Sequence, residues 1–192
     1  MKMMLLIAAL AVTCATEAAD LMFHMDFNTI QMRRPLVSTL LKEVAASGYT
    51  HVLWEIEDKV VLDTCPESAH REAFTKDEFR HILAESKALG LRNVPLLQTF
   101  GHAEYILKLD KHRNLRELDE STDCYCVSKP ETRDLLKKLI AEYLELFGGK
   151  DMEYFHLGGD ECYDFCKCPV CAKRNAMELY GEHLNAISGT IR

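Results

Sequence analysis

The fold is indicated most clearly by residues 93–104, which read NVPLLQTFGHAE. Its first part, residues 93–99, has the apolar character of a buried strand, and polar residues, including His102, follow at once. Buried parallel strands are almost entirely apolar. A polar group at the end of such a strand is therefore either paired with another polar or charged group, or takes part in binding or catalysis. A single such group is usually structural. Several such groups at the ends of different strands would instead indicate a functional site.

The pattern recurs at three other predicted strands, which end in HMD, EIED and HLGGDE at residues 24–26, 55–58 and 156–161. The four predicted strands cover residues 21–27, 51–57, 93–99 and 153–157. Segments with the apolar spacing of helices lie between and after them, at 34–47, 75–89, 129–147 and 169–188. Every predicted strand therefore ends in carboxylates, which points to a shared site.

Strands and helices that alternate in this way predict an α/β fold with a parallel sheet and right-handed crossovers. The long loops follow the second and third strands, and enzymes built on barrels keep their sites at such carboxyl ends. We therefore predict a (β/α)8 TIM barrel, of which this chain holds the first four βα units. An open, doubly wound four-stranded sheet is the alternative.

The net charge of the chain excludes one class of partner, and its length limits how much of a barrel it can form. It has 192 residues, 48% of them hydrophobic, and a formal net charge of −7, which argues against a partner nucleic acid. A complete barrel of this kind takes about 250 residues. Residues 20–192 are therefore predicted to form an incomplete, N-terminal half of a catalytic barrel, whose open sheet edges call for a missing C-terminal half or an oligomer partner.

The first residues have the features of a targeting segment. Lys2 precedes an apolar run at residues 3–15, and small residues follow before Asp20. Residues 1–19 are predicted to be a signal peptide of an exported protein, because the run is too short to span a bilayer. A lipoprotein anchored through Cys14 is the second interpretation.

The block HLGGDE at residues 156–161 resembles the H-x-G-G-D-E signature of glycoside hydrolase family 20, the β-N-acetylhexosaminidases. The blocks at residues 24–26, 55–58 and 95–104 are similar, in the same order, to those of the hexosaminidase D branch. The resemblance implies a glycosidase that removes terminal β-linked N-acetylhexosamine from a carbohydrate substrate. It also implies substrate-assisted catalysis, which requires no enzyme nucleophile and no cofactor.

By this resemblance, Glu161 is the general acid and then the base, and Asp160 orients the substrate's acetamido group. The substrate-binding residues that it implies are His102, Glu57, Asp58, Asp26 and His156. Aromatic residues flank the acidic pair, and a partly apolar pocket would favour the neutral form of a carboxyl group, as a general acid needs. His24 and His156 could equally be core histidines, whereas Trp54 is expected to pack between helix and sheet.

Four cysteines follow the acidic pair within ten residues: Cys162, Cys166, Cys168 and Cys171. They could bind a structural zinc ion, or they could form disulfides, as exported proteins usually do. Seven cysteines remain after removal of the signal peptide, so at least one is unpaired within the chain. Two other functions stay open at this point: a catalytically silent carbohydrate-binding module, and a small exported metal-binding protein.

Overall fold

The structure is a computed structural model that describes residues 19–149 and 152–191. The predicted signal peptide, apart from Ala19, and the lipoprotein alternative at Cys14 lie outside the described residues. The strands are β1 (Met22–Asp26), β2 (His51–Glu55) and β3 (Arg92–Leu96). The helices are α1 (Arg34–Ala46), α2 (Lys76–Ala88), α3 (Glu104–Leu107), α4 (Pro130–Phe147) and α5 (Ala176–Ser188).

The three strands form one parallel sheet in the order β1-β2-β3, and His51 pairs with Met22 on one side and Arg92 on the other. Successive right-handed crossovers in one direction place their helices on the same face of a sheet. Helix α1 contacts α2, and α2 contacts α4, as this rule requires. A doubly wound sheet reverses its strand order after the first half. Here the segment at His156 pairs in parallel with Leu96 of β3 and continues the same order, as in a barrel.

Local sequence signals set the ends of the helices as predicted. Thr75 and Glu78 form a capping box before α2, in which each side chain binds the other residue's backbone N–H. Helix α1 is followed by Gly48 in the left-handed conformation, with a φ of 85°. Gly148 ends α4 in the same region, with a φ of 98°.

The first three strands end one to three residues earlier than predicted, and two further elements differ more. The fourth strand is reduced to an isolated parallel bridge between His156 and Leu96. The reason is that the chain turns away at Gly158, whose φ is 66°. The last helix begins at Ala176 and not at residue 169, because a 3-10 turn occupies Cys171–Lys173 and Asn175 caps the helix.

The main core lies between the sheet and the helices. Trp54 is fully buried, and its ring meets Phe27 and Phe79 edge-on, with centroids 6.0 and 5.4 Å away. This confirms the predicted packing of Trp54 between helix and sheet. None of the helices described for residues 19–149 and 152–191 has the length and apolar character needed to cross a bilayer.

Candidate active site

An open cleft of about 490 Å³ lies on the face of the sheet opposite the helices. Because side chains alternate along a strand, Trp54 faces the helices and its neighbours Leu53 and Glu55 face this cleft. Its polar lining residues are His24, Glu55, Gln98, His156 and Asp160. A second cavity of similar volume lies near His51 at the amino ends of the strands. That end of a barrel serves stability, whereas the carboxyl ends carry the site.

A chain of hydrogen bonds crosses the floor of the cleft from β1 to the end of β3. Glu55 accepts a hydrogen bond from Gln98 Nε2 at 2.7 Å, and its other oxygen lies 2.8 Å from His24 Nε2. Glu55 is buried, whereas the His24 side chain is 46% exposed. No role was predicted for Glu55 or Gln98 from the sequence. Both residues alternate with apolar residues along the chain. This alternation was the available signal, because it places their side chains on the face of the sheet that carries the cleft.

His102, Asp160 and Glu161 lie together at the mouth of the cleft. Nε2 of His102 is 3.5 Å from Asp160 Oδ2 and 3.6 Å from Glu161 Oε2. The side chains of Asp160 and Glu161 are 63% and 60% exposed. The residues described here therefore bring the predicted catalytic pair and His102 together, but they do not supply the apolar pocket expected around a general acid.

Two glycines allow the loop after β3 to approach the loop that carries the acidic pair. A Cβ atom at Gly101 would lie 3.0 Å from the backbone oxygen of Asp160. A Cβ atom at Gly158, where φ is 66°, would lie 2.1 Å from Gln98 Oε1. Glycine avoids both contacts and tolerates the positive φ. The two glycines therefore make the QTFGH and GGDE blocks two walls of one site.

The other predicted substrate-binding residues divide into two groups. Asp26 and His156 are exposed near the cleft, where Asp26 accepts a hydrogen bond from the backbone of Asn28 at 2.7 Å and His156 accepts one from Gly158 at 3.1 Å. The core alternative for His24 and His156 is wrong, since both are exposed. Glu57 and Asp58 are instead buried outside the cleft lining.

Glu57 and Asp58 have different electrostatic environments. Burial, reinforced by the negative charge of Glu55, raises the pKa of Glu57 to about 8. Burial also opposes ionisation of Asp58, but hydrogen bonds from Lys59 and Lys108 outweigh it and lower the pKa of Asp58. Among the hydrogen bonds of the described residues, none joins either carboxyl to His102. In the described part of the chain, these two residues therefore do not support His102 through a hydrogen bond.

A buried histidine that the sequence analysis missed supports the loop after β3. His183 on α5 donates a hydrogen bond from Nε2 to the backbone oxygen of Thr99 at 2.9 Å. Burial lowers the pKa of His183 to about 4, so this histidine is neutral near pH 7. Its position on a helix far along the chain gave no local signal of this contact.

The cysteines are arranged differently from the predicted set. Cys162 forms a disulfide with Cys124, with their Cα atoms 6.1 Å apart, so it is not available to bind a metal ion. Cys166 is half-buried and lies outside the cluster that Cys168 and Cys171 form with Cys126. The buried carboxylate of Glu117 completes this cluster.

Comparisons with known proteins agree with this geometry. The family model described as glycosyl hydrolase family 20, catalytic domain, matches residues 28–186. Hexosaminidase D from Bos taurus is 29% identical over 146 residues, which is 73% of this chain and 40% of the bovine protein. Hexosaminidase D from Homo sapiens is 28% identical over 141 residues, which is 73% of this chain and 29% of the human protein.

The chain is also similar in fold to the crystal structure of a Flavobacterium johnsoniae chitobiase. The TM-score is 0.78 at 21% sequence identity, over 90% of this chain and 30% of that chain. The chain thus spans less than half the length of the relatives it matches. The family match covers β2, β3 and the loop with the acidic pair, and it spans most of the chain. The chain therefore belongs to glycosyl hydrolase family 20.

Proposed function

We propose that this chain supplies the catalytic carboxylates of an enzyme that removes terminal β-linked N-acetylhexosamine from a carbohydrate. The observation that carries the proposal is the placement of Asp160 and Glu161 within 3.6 Å of His102 at the mouth of the cleft. Membership of glycosyl hydrolase family 20 supports it. The relatives support it as well, since both are named hexosaminidases.

The proposed mechanism is substrate-assisted and retains the anomeric configuration, as in other members of this family. Glu161 protonates the leaving glycosidic oxygen while the 2-acetamido oxygen of the substrate attacks the anomeric carbon. Asp160 accepts a hydrogen bond from the acetamido N–H and stabilises the positive charge of the cyclic intermediate. Glu161, now a carboxylate, then removes a proton from the water that opens this intermediate. Two adjacent acidic residues suffice because the substrate provides the nucleophile.

The remaining polar groups of the cleft fit a sugar ligand. His24 and His156 are exposed in the cleft and can bind hydroxyl groups, as can Asp26 beside it. The buried carboxylate of Glu55, bonded to Gln98 and close to His24, fixes the cleft floor. We expect sugar hydroxyls to bind above this floor, next to Asp160.

We propose that the cleft is completed by further barrel strands, from a C-terminal half or from an oligomer partner. The chain spans 40% and 29% of the lengths of the bovine and human relatives. The acidic pair is mostly exposed, and further strands would provide the apolar walls that a general acid needs. We also propose that the protein is exported, because the Cys124–Cys162 disulfide is typical of an oxidising compartment.

Substitution of the proposed acid/base tests the function directly. We expect Glu161→Gln to lower hydrolysis of an aryl N-acetyl-β-hexosaminide by roughly 10²–10⁴-fold, the usual contribution of general acid–base catalysis. The circular dichroism spectrum should stay unchanged. Glu43→Gln, on the exposed surface of α1, is the matched control and should keep wild-type turnover. Unchanged turnover in Glu161→Gln would contradict the assignment.

The silent carbohydrate-binding alternative gives a different result in the same assay. A wild-type chain that binds N-acetylglucosamine in calorimetry, but turns over no aryl glycoside, would favour it. The exposure of Asp160 and Glu161 is the observation that keeps this alternative open. Supplying the rest of the barrel and repeating the assay separates a silent module from an incomplete enzyme.

A further inference from the structure

A cluster of four buried metal-ligating side chains lies beside the loop with the acidic pair. Its members are Glu117, Cys126, Cys168 and Cys171, and one ligand atom from each lies within 4.8 Å of all the others. We propose that these four residues bind one structural zinc ion. The site is separate from the cleft and takes no part in the proposed hydrolysis.

The distances between the sulfur atoms match those of a tetrahedral zinc site. Cys126 Sγ is 3.7 Å from both Cys168 Sγ and Cys171 Sγ. Zinc–sulfur bonds of about 2.3 Å at tetrahedral angles separate two sulfurs by about 3.8 Å. A disulfide would need about 2.05 Å. The three thiols are therefore spaced as ligands around a common centre.

Glu117 provides a second and independent indication of a bound cation. Its side chain is 3% exposed, and among the residues the structure describes it has no lysine, arginine or histidine within 4.0 Å of its carboxylate. Oε1 accepts a hydrogen bond from the backbone N–H of Cys168 at 3.0 Å, and Oε2 lies 3.5 Å from Cys171 Sγ. An unpaired buried carboxylate is costly, and a divalent ion would neutralise it.

The local backbone is organised around the sulfurs. Cys168 and Cys171 form a C-x-x-C motif, in which the Cys171 N–H lies 3.3 Å from Cys168 Sγ. Ser128 Oγ lies 3.1 Å from Cys171 Sγ. Donors of this kind orient thiolate ligands and stabilise their charge. The motif is thus held in place by groups that a zinc site requires.

The position of the cluster indicates what the ion does. Glu117 and Cys126 belong to the long connection between β3 and α4, whereas Cys168 and Cys171 follow the GGDE block. The Cys124–Cys162 disulfide joins the same two segments. We infer that zinc and disulfide together hold the loop that carries Glu161 against the rest of the chain. Metal-bound thiolates also resist the oxidation that an exported protein meets.

The experiment is a metal analysis of the full chain, purified without added metal or chelator. Inductively coupled plasma mass spectrometry is expected to find one zinc per chain in the wild type. The variants Cys126→Ser and Glu117→Gln should lose half or more of it. Cys166→Ser is the matched control, because this cysteine lies in the same loop but outside the cluster, and it should keep the full zinc content.

Two results would overturn the proposal. One is the absence of stoichiometric zinc, including after dialysis against zinc chloride. The other is a disulfide among Cys126, Cys168 and Cys171 in non-reducing peptide mass spectrometry. If the variants do not fold, replacement of zinc by cobalt in the wild type tests the three-thiolate site. Strong sulfur-to-cobalt charge-transfer bands support the three-thiolate site, and their absence contradicts it.

Discussion

Three residues other than glycine adopt the left-handed backbone conformation where the chain leaves the strands of the sheet. They are Glu57, His102 and Glu161, with φ values of 39°, 50° and 43°. Such values are uncommon outside glycine, cost free energy, and collect at functional sites where the surroundings impose them. Two of the three, His102 and Glu161, are the residues that meet at the mouth of the cleft. The backbone strain therefore supports the same site as the side-chain geometry.

The role of His102 can be tested by a substitution that keeps its left-handed backbone conformation. We expect His102→Asn to lower turnover of an aryl N-acetyl-β-hexosaminide about tenfold or more, because the imidazole that lies beside Asp160 and Glu161 is lost. Asparagine tolerates positive φ, so the loop should keep its shape. His81→Asn, on the exposed face of α2, is the control. A His102→Asn variant with the wild-type rate and pH profile would rule out this role.

Sequence motifs predicted the residues at the mouth of the cleft but not the hydrogen bonds on its floor. The HLGGDE and QTFGH blocks identified Glu161 and His102, because each block is continuous in the chain. The contacts of Glu55 with His24 and Gln98 join three strands and depend on the register between them. No local pattern specifies that register.

Among the elements, the ends of α1, α2 and α4 were predicted best, because their signals are local. The capping box of Thr75 and Glu78 needs only four consecutive residues, and the structure contains it. The length of the fourth strand was overestimated, because the pairing of a strand depends on which segment of the chain lies beside it. In the described part of this segment, only His156 and Leu157 form backbone hydrogen bonds with the end of β3 and the residues after it, and the glycine turn then begins. The cysteine arrangement was missed for the same reason, since Cys124 and Cys126 are distant in sequence from the C-x-x-C motif.

The capping box gives a prediction for helix α2. Thr75 Oγ1 accepts a hydrogen bond from the Glu78 N–H at 3.2 Å, and Glu78 Oε2 accepts one from the Thr75 N–H at 2.8 Å. We expect Thr75→Ala to lower the free energy of unfolding by about 1 kcal/mol, measured by urea denaturation. Thr39→Ala, in the middle of α1 and exposed, should be neutral or slightly stabilising. Equal effects of the two variants would contradict the capping role.

At the scale of the whole molecule, two buried groups make stability depend on pH in opposite directions. The folded chain holds the pKa of His183 at about 4, below its ordinary value of 6.5. The unfolded chain therefore binds the proton first, and stability is lost as pH falls from 6.5 towards 4. The folded chain holds the pKa of Glu57 at about 8, above its ordinary 4.5. The stability due to this group is present below pH 4.5 and is lost as pH rises towards 8.

These opposing effects predict a stability plateau between pH 4.5 and 6.5, and a decline between pH 6.5 and 8 that comes from Glu57 alone. The decline should approach 1.4 kcal/mol per pH unit, approximately the free energy of one pKa unit. Urea denaturation of Glu57→Gln should give a flat profile in that upper range, because the amide needs no proton. Below pH 6.5 this variant should instead lose stability on acidification, since His183 is then unopposed. The control Glu43→Gln should keep the wild-type decline. If Glu57→Gln also kept it, the buried neutral carboxyl at Glu57 would not be its source.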